Sequence, residues 1–169
     1  MAVCVLFGNR DFTGDIKECL EGVTTDLILH HHVDTFYVGH QGNFDRSVIA
    51  FLKELKQEYP KINYLVMLSH LPCPAWLAEE PTVFPEGLET VPPKYAILHR
   101  NDLMLEKADY VILYKRYSTG GTARMEQKAE AKGKVLIHLD IPTELMPYEE
   151  LIKALDKYDS KKGKQKARR

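Results

Sequence analysis

Three cysteines are too few and too scattered to staple or metallate this chain. Cys4, Cys19 and Cys73 stand in none of the short spacings that hold zinc, and an odd, sparse set suggests reduced thiols and a cytoplasmic protein. Apolar runs are short as well. None approaches the ~20 residues a membrane-spanning helix needs, so no membrane partner is expected. The opening MAVCVLFGNR lacks a basic leader and a small-residue cleavage site, and reads as a strand rather than a signal peptide. Also missing are a P-loop, a zinc motif and a Ser-His-Asp order, so no cofactor and no metal is expected. His30, His31 and His32 are consecutive and cannot all point one way on a helix, which favours a last helical turn over a metal site.

Net charge is nearly absent, with 23 basic and 24 acidic residues, but it is unevenly spread. Residues 157–169 carry seven basic residues and one acid, leaving 16 basic and 23 acidic residues before them. A body of that sign argues against a broad nucleic-acid-binding face. The basic stretch reads as a disordered, solvated tail, with an electrostatic arm for DNA or RNA as the alternative.

What the chain does contain is alternation. Residues 2–7 (AVCVLF), 35–38 (TFYV), 62–68 (INYLVML), 110–114 (YVILY) and 134–139 (KVLIHL) are apolar runs of buried-strand length. Between them lie helical stripes: Ile16, Leu20, Val23 and Leu27 after a Thr13 cap; Val48, Leu52, Leu55 and Tyr59 up to Pro60; and Ile97, Leu98, Met104, Leu105 and Ala108. Another helix runs from the 118–122 turn to Gly133, and a last one is expected over 147–158. Such alternation predicts an α/β fold, a single Rossmann-like, doubly wound domain over 1–156 with a mainly parallel five-stranded sheet and helices on both faces. Residues 69–93 hold six of the nine prolines and read as a long insertion or lid. Apolar surface around Trp76 and Phe84 suggests a homo-oligomer, dimer or higher, with the lid as the competing reading.

Ligands of such sheets sit beyond the C-terminal strand ends. Those ends carry Gly8-Asn9-Arg10, Gly39-His40-Gln41-Gly42 with Asp45 following, Ser69, and Thr119-Gly120-Gly121-Thr122. The last is a strand, a Gly-rich turn and a helix, which offers free backbone N–H groups to an anion, most often phosphate. Asn101 lies on the stripe of the 95–107 helix, between Leu98 and Leu105, and Arg100 on its edge. They read either as a surface Arg and a structural amide, or as an anion ligand and a loop-ordering residue.

The order of these motifs resembles the SLOG superfamily of Rossmann-like proteins. The matching residues are Gly8 and Arg10; Gly39, Gly42, Phe44 and Asp45; Arg100, Asn101 and Met104; and Gly120, Gly121 and Thr122, within about residues 2–140. The resemblance implies a nucleotide-type ligand. Members include LOG phosphoribohydrolases, which release a base from a nucleoside monophosphate, the DNA-processing protein A group, and sensors of NAD-derived nucleotides. LOG enzymes carry P-G-G-x-G-T-x-x-E. Here Ser118-Thr119 precede the glycines, and Glu126 follows Thr122 by four residues, a turn of ~100° from the LOG position.

N-glycoside cleavage needs a carboxylate and a phosphate anchor. Glu126, Asp45 or Asp11 is available as the acid, and Arg10 or Arg100 as the anchor. Glu126 and Asp45 have helix-dipole and capping roles as their alternatives. The leading expectation is therefore a binder or sensor of a nucleotide-type small molecule. A phosphoribohydrolase-like enzyme using Glu126 or Asp45 stands second, and nucleic-acid binding through the tail third.

Overall fold

The computed structural model describes residues 2–139. The helix expected over 147–158 and the 157–169 tail lie outside the described residues. In chain order come β1 (Ala2–Gly8), α1 (Ile16–His30), β2 (Val33–Val38), α2 (Gly42–Glu58), β3 (Asn63–Met67), β4 (Thr82–Val83), α3 (Ala96–Lys107), β5 (Tyr110–Tyr114), α4 (Gly121–Ala131) and β6 (Val135–His138). The strands form one sheet, ordered β4-β3-β2-β1-β5-β6, and every pairing between them is parallel. The α/β class is as expected, but the sheet has six strands rather than five.

The added strand is β4, inside the Pro-rich 69–93 segment. It pairs with β3 through Val66↔Thr82 and Met67↔Val83. The Val66 N–H donates to the Pro81 carbonyl and the Leu68 N–H to the Val83 carbonyl, both at 2.8 Å. Two residues show no period, and prolines are tolerated only at such an edge. That is why the sequence hid it.

Helix starts also move. The Asp15 carboxylate, not Thr13, caps α1 by accepting the Lys17 N–H at 3.0 Å, with Gly14 at φ 137 between them. In β1, Cys4, Val5, Leu6 and Phe7 are all buried, as a strand covered on both faces requires. Val5, Phe7, Val111 and Leu113 form one core layer with Met104 and Leu105 of α3 and Met125 and Ala129 of α4. Helices α1 and α2 pack on each other and on β1–β3. Phe12, Phe44 and Tyr114 form an aromatic cluster with centroids 5.1–6.0 Å apart, at the C-terminal ends of β1 and β5. Gly8 makes room for it, since a Cβ there would stand 2.2 Å from Phe44 Cγ. No helix among the described residues is long and apolar enough to cross a membrane.

Candidate functional site

From β1 the chain winds outward through β2 to β3, then crosses back to place β5 on the other side of β1. At this reversal the two adjacent crossovers leave on opposite sides and a crevice opens beyond the strand ends. A cavity of about 320 Å³ lies there. Its walls come from the end of β1 through Asp11, the turn after β2, helix α3, Tyr117 after β5, and the start of α4. No residue of 69–93 is among those walls; the segment contributes the β4 edge of the sheet.

Arg100 is the least expected feature, because its side chain is only 2% exposed. Its Nη1 donates to the Met67 carbonyl at 3.0 Å and its Nε to Asn101 Oδ1 at 3.1 Å. Nη2 lies against Gly39, where a Cβ would come within 2.9 Å of it. No sealed side-chain polar atom among the described residues lacks a partner, and Arg100 lines the cavity. Burial pulls the guanidinium down to about 10; neighbouring Asp45 opposes that shift and Arg10 adds to it.

Asp45, 8% exposed, stands across Gly39 from Arg100 and also lines the cavity. From the first turn of α2 its Oδ2 reaches back to accept the N–H of Gln41, the N-cap residue, at 2.9 Å. Burial nevertheless raises its carboxyl to about 6, against the opposing effects of Arg100, the Gln41 N–H and Arg10. Arg10 is exposed at the mouth, on a backbone that leaves no space for a Cβ at Gly42.

Helix α4 completes the floor. Gly120 takes φ 99 and ψ −171 at its N-cap, without a side-chain cap, and the first intrahelical bond runs from the Arg124 N–H to the Gly120 carbonyl at 3.0 Å. The N–H groups ahead of Arg124 therefore have no partner within the helix. Gly121 and Thr122 bring that helix end to the cavity. Two arginines, two aspartates and a helix N-terminus thus line the space.

Of the residues expected at the site, Gly8, Asn9, Arg10, Gly39, Asp45, Arg100, Asn101, Gly121 and Thr122 are brought together here. His40, Gly42, Ser69, Thr119 and Gly120 are not on its walls. Gly42 (φ 85) and Gly120 shape the turns behind it. His40 and Ser69 belong to a hydrogen-bond chain beside it. The Ser69 N–H donates to His40 Nε2 at 3.1 Å, while burial first, then Arg100 and His70, lower the His40 ring to about 4. Gln41 Nε2 donates to Ser69 Oγ at 2.8 Å, and Ser69 Oγ lies 2.9 Å from His70 Nδ1. His70 Nε2 meets the Pro93 carbonyl at 2.9 Å. A carbonyl only accepts, so Nε2 carries the hydrogen and, in the neutral ring, Nδ1 accepts from the Ser69 hydroxyl. The chain ties the turn before α3 to the turn after β2.

Glu126 is placed elsewhere. Its Oε1 pairs with Lys115 Nζ at 2.8 Å and its Oε2 lies 3.5 Å from His138 Nδ1, off the cavity wall. Asp45, not Glu126, is the carboxylate the fold brings to the two arginines. Gln41, Ile97, Tyr117 and Met125 line the cavity without having been singled out as site residues. Their only sequence signal is position, in or beside the rim turns and on the inward faces of α3 and α4. Among the described residues no group of three or more His, Cys, Asp or Glu is arranged to hold a metal.

Fold and site together define a Rossmann-like α/β protein with a cavity lined by charged side chains at the switch point of its parallel sheet. No family model matches the chain, and no curated protein does.

Proposed function

We propose that the protein binds a nucleotide or nucleotide-derived small molecule in this cavity, by its phosphate, as a binder or sensor of the SLOG type. The observation that carries this reading is Arg100, a residue only 2% exposed that lines a cavity together with a helix N-terminus. Sealing a cation from water costs several kcal/mol unless it is paired. Asp45 compensates only part of that, and an anionic ligand supplies the rest. The cavity volume lies within the range of small-molecule sites. The glycine turns and the Arg100-Asn101 pair stand in the superfamily's order.

Gly121→Val tests the phosphate position. A Cβ on Gly121 meets nothing within 4 Å, so the valine is accommodated by the fold and projects into open space beside the anion site. Loss of nucleotide binding in calorimetry with an unchanged circular dichroism spectrum is expected. Unchanged affinity would sink the assignment.

Asp45 keeps an N-glycosidase reading alive, because a cavity carboxyl raised to about 6 is suited to proton transfer near neutrality. With Glu126 held by Lys115 and His138, the second carboxylate on the cavity wall is Asp11, which the Tyr117 hydroxyl and Arg116 engage. Incubation with AMP, GMP, CMP and UMP is expected to release no free base. Release that disappears in Asp45→Asn would make the protein a hydrolase.

We also propose self-association through the 69–95 surface, where Leu71 is 62%, Trp76 40% and Tyr95 46% exposed.

A further inference from the structure

Tyr117 is the aromatic side chain whose placement at the cavity mouth has no role in holding the core. Phe7, which also lines the cavity, is buried in the layer with Met104 and Met125, and Phe12, Phe44 and Tyr114 pack on one another. Tyr117 is half-buried and is held on two sides. Its hydroxyl donates to Asp11 Oδ2, and the Arg116 guanidinium carbon stands 5.7 Å from its ring centroid. Arg116 is itself fixed to the turn after β1, its N–H donating to Asn9 Oδ1 at 2.6 Å and its Nη1 lying 3.6 Å from Asp11 Oδ2. The turn after β5 is thus clamped to the turn after β1, and the Tyr117 ring is oriented before any ligand arrives.

A pre-oriented ring costs little conformational entropy on binding, and aromatic faces attract the flat π-systems of bases whatever their sequence of donors. Ile97 adds an apolar surface to the same cavity from α3. Arg100 and the start of α4 supply polar groups on the same cavity wall. We propose that Tyr117 is the base-stacking platform of this site, so that the ligand is a nucleoside phosphate whose heterocycle lies on the Tyr117 ring while its phosphate occupies the Arg100 and Gly121 end. The inference rests on the nucleotide reading above and adds to it that the base, not only the sugar phosphate, is held.

Calorimetry with AMP and with ribose 5-phosphate on the wild type, Tyr117→Ala and Tyr117→Phe separates the two. The wild type is expected to bind AMP roughly 5- to 150-fold more tightly than ribose 5-phosphate, which corresponds to 1–3 kcal/mol for one base–aromatic stack at about 1.4 kcal/mol per tenfold. Tyr117→Ala should erase that ratio by weakening AMP alone, and Tyr117→Phe, which keeps the ring, should retain most of it. A Tyr117→Ala protein that loses affinity for both ligands equally, or keeps the AMP preference, overturns the stacking role and leaves the phosphate site standing. If Tyr117→Ala fails to fold by circular dichroism, Tyr117→Phe decides, with loss of the preference counting against the proposal. A wild type that binds neither ligand overturns the nucleotide reading and the platform with it.

Discussion

Asp45 and Arg100 are buried charges of opposite sign on either side of Gly39, and their proximity makes stability depend on pH. Folded Asp45 keeps its proton to about 6, whereas an aspartate in an unfolded chain releases it near 3.9. The folded state therefore binds more protons between these values. Asp45's contribution is full below pH ~4 and is lost as pH rises through about 6. Two pKa units correspond to about 3 kcal/mol as an order of magnitude. Asp45→Asn removes this titration, so the fall in stability from pH 4 to 7.5 should be smaller in the variant than in the wild type. Urea denaturation at the two pH values measures it, and an identical fall in both proteins would mean that Asp45 titrates as an exposed acid.

At the scale of elements, the site depends on how closely α2 approaches β1. Gly8 ends β1 under the Phe44 ring, with only hydrogen where a Cβ would stand 2.2–2.5 Å from three ring atoms. The Asn43 N–H donates to the Arg10 carbonyl at 2.9 Å, so the same seam sets the backbone that carries Arg10. Gly8→Ala should cost roughly 1–3 kcal/mol through overpacking. Combining it with Phe44→Leu, which clears the ring, should cost less than the sum of the two single changes, a coupling that a double-mutant cycle reads directly. Strict additivity would show that the contact is relieved elsewhere. The contrast with Gly121 is instructive: a side chain there meets nothing, so a substitution should alter the ligand site and spare the fold.

For the whole molecule, the parallel sheet reverses its winding between β1 and β5, and this gathers residues from five separate segments into one cavity. The opposite edge is different in character. There β4 is only two residues long, and Leu71, Trp76 and Val83 are exposed, with the Arg46 guanidinium 4.3 Å over the Trp76 ring. Sedimentation velocity should report a dimer or larger species. Because Trp76 is the single tryptophan, its emission should shift to the red on dilution as that face becomes wet. A monomer at every concentration, with constant emission, would leave this surface exposed in solution.

Apolar runs, helical stripes and glycine turns were enough to read five of the six strands, the four α-helices of the described residues and the rim, because a strand buried on both faces is apolar throughout and an amphipathic helix repeats every 3.6 residues. Period placed Asn101 on the apolar stripe and Arg100 at its edge, whereas Arg100 is the buried one. They follow Ile97 by three and four residues, and both spacings lie on one helix face. Tertiary structure made the choice, by offering Arg100 the Met67 carbonyl at the end of β3 and leaving Asn101 to accept from its Nε. It likewise drew Glu126 to Lys115 and His138, sent Asp45 to the cavity, and clamped Tyr117 to Asp11, a residue 106 positions earlier. A local sequence reports which way a side chain leaves its own element. Which charge meets which is decided only when distant strand ends arrive at the same rim.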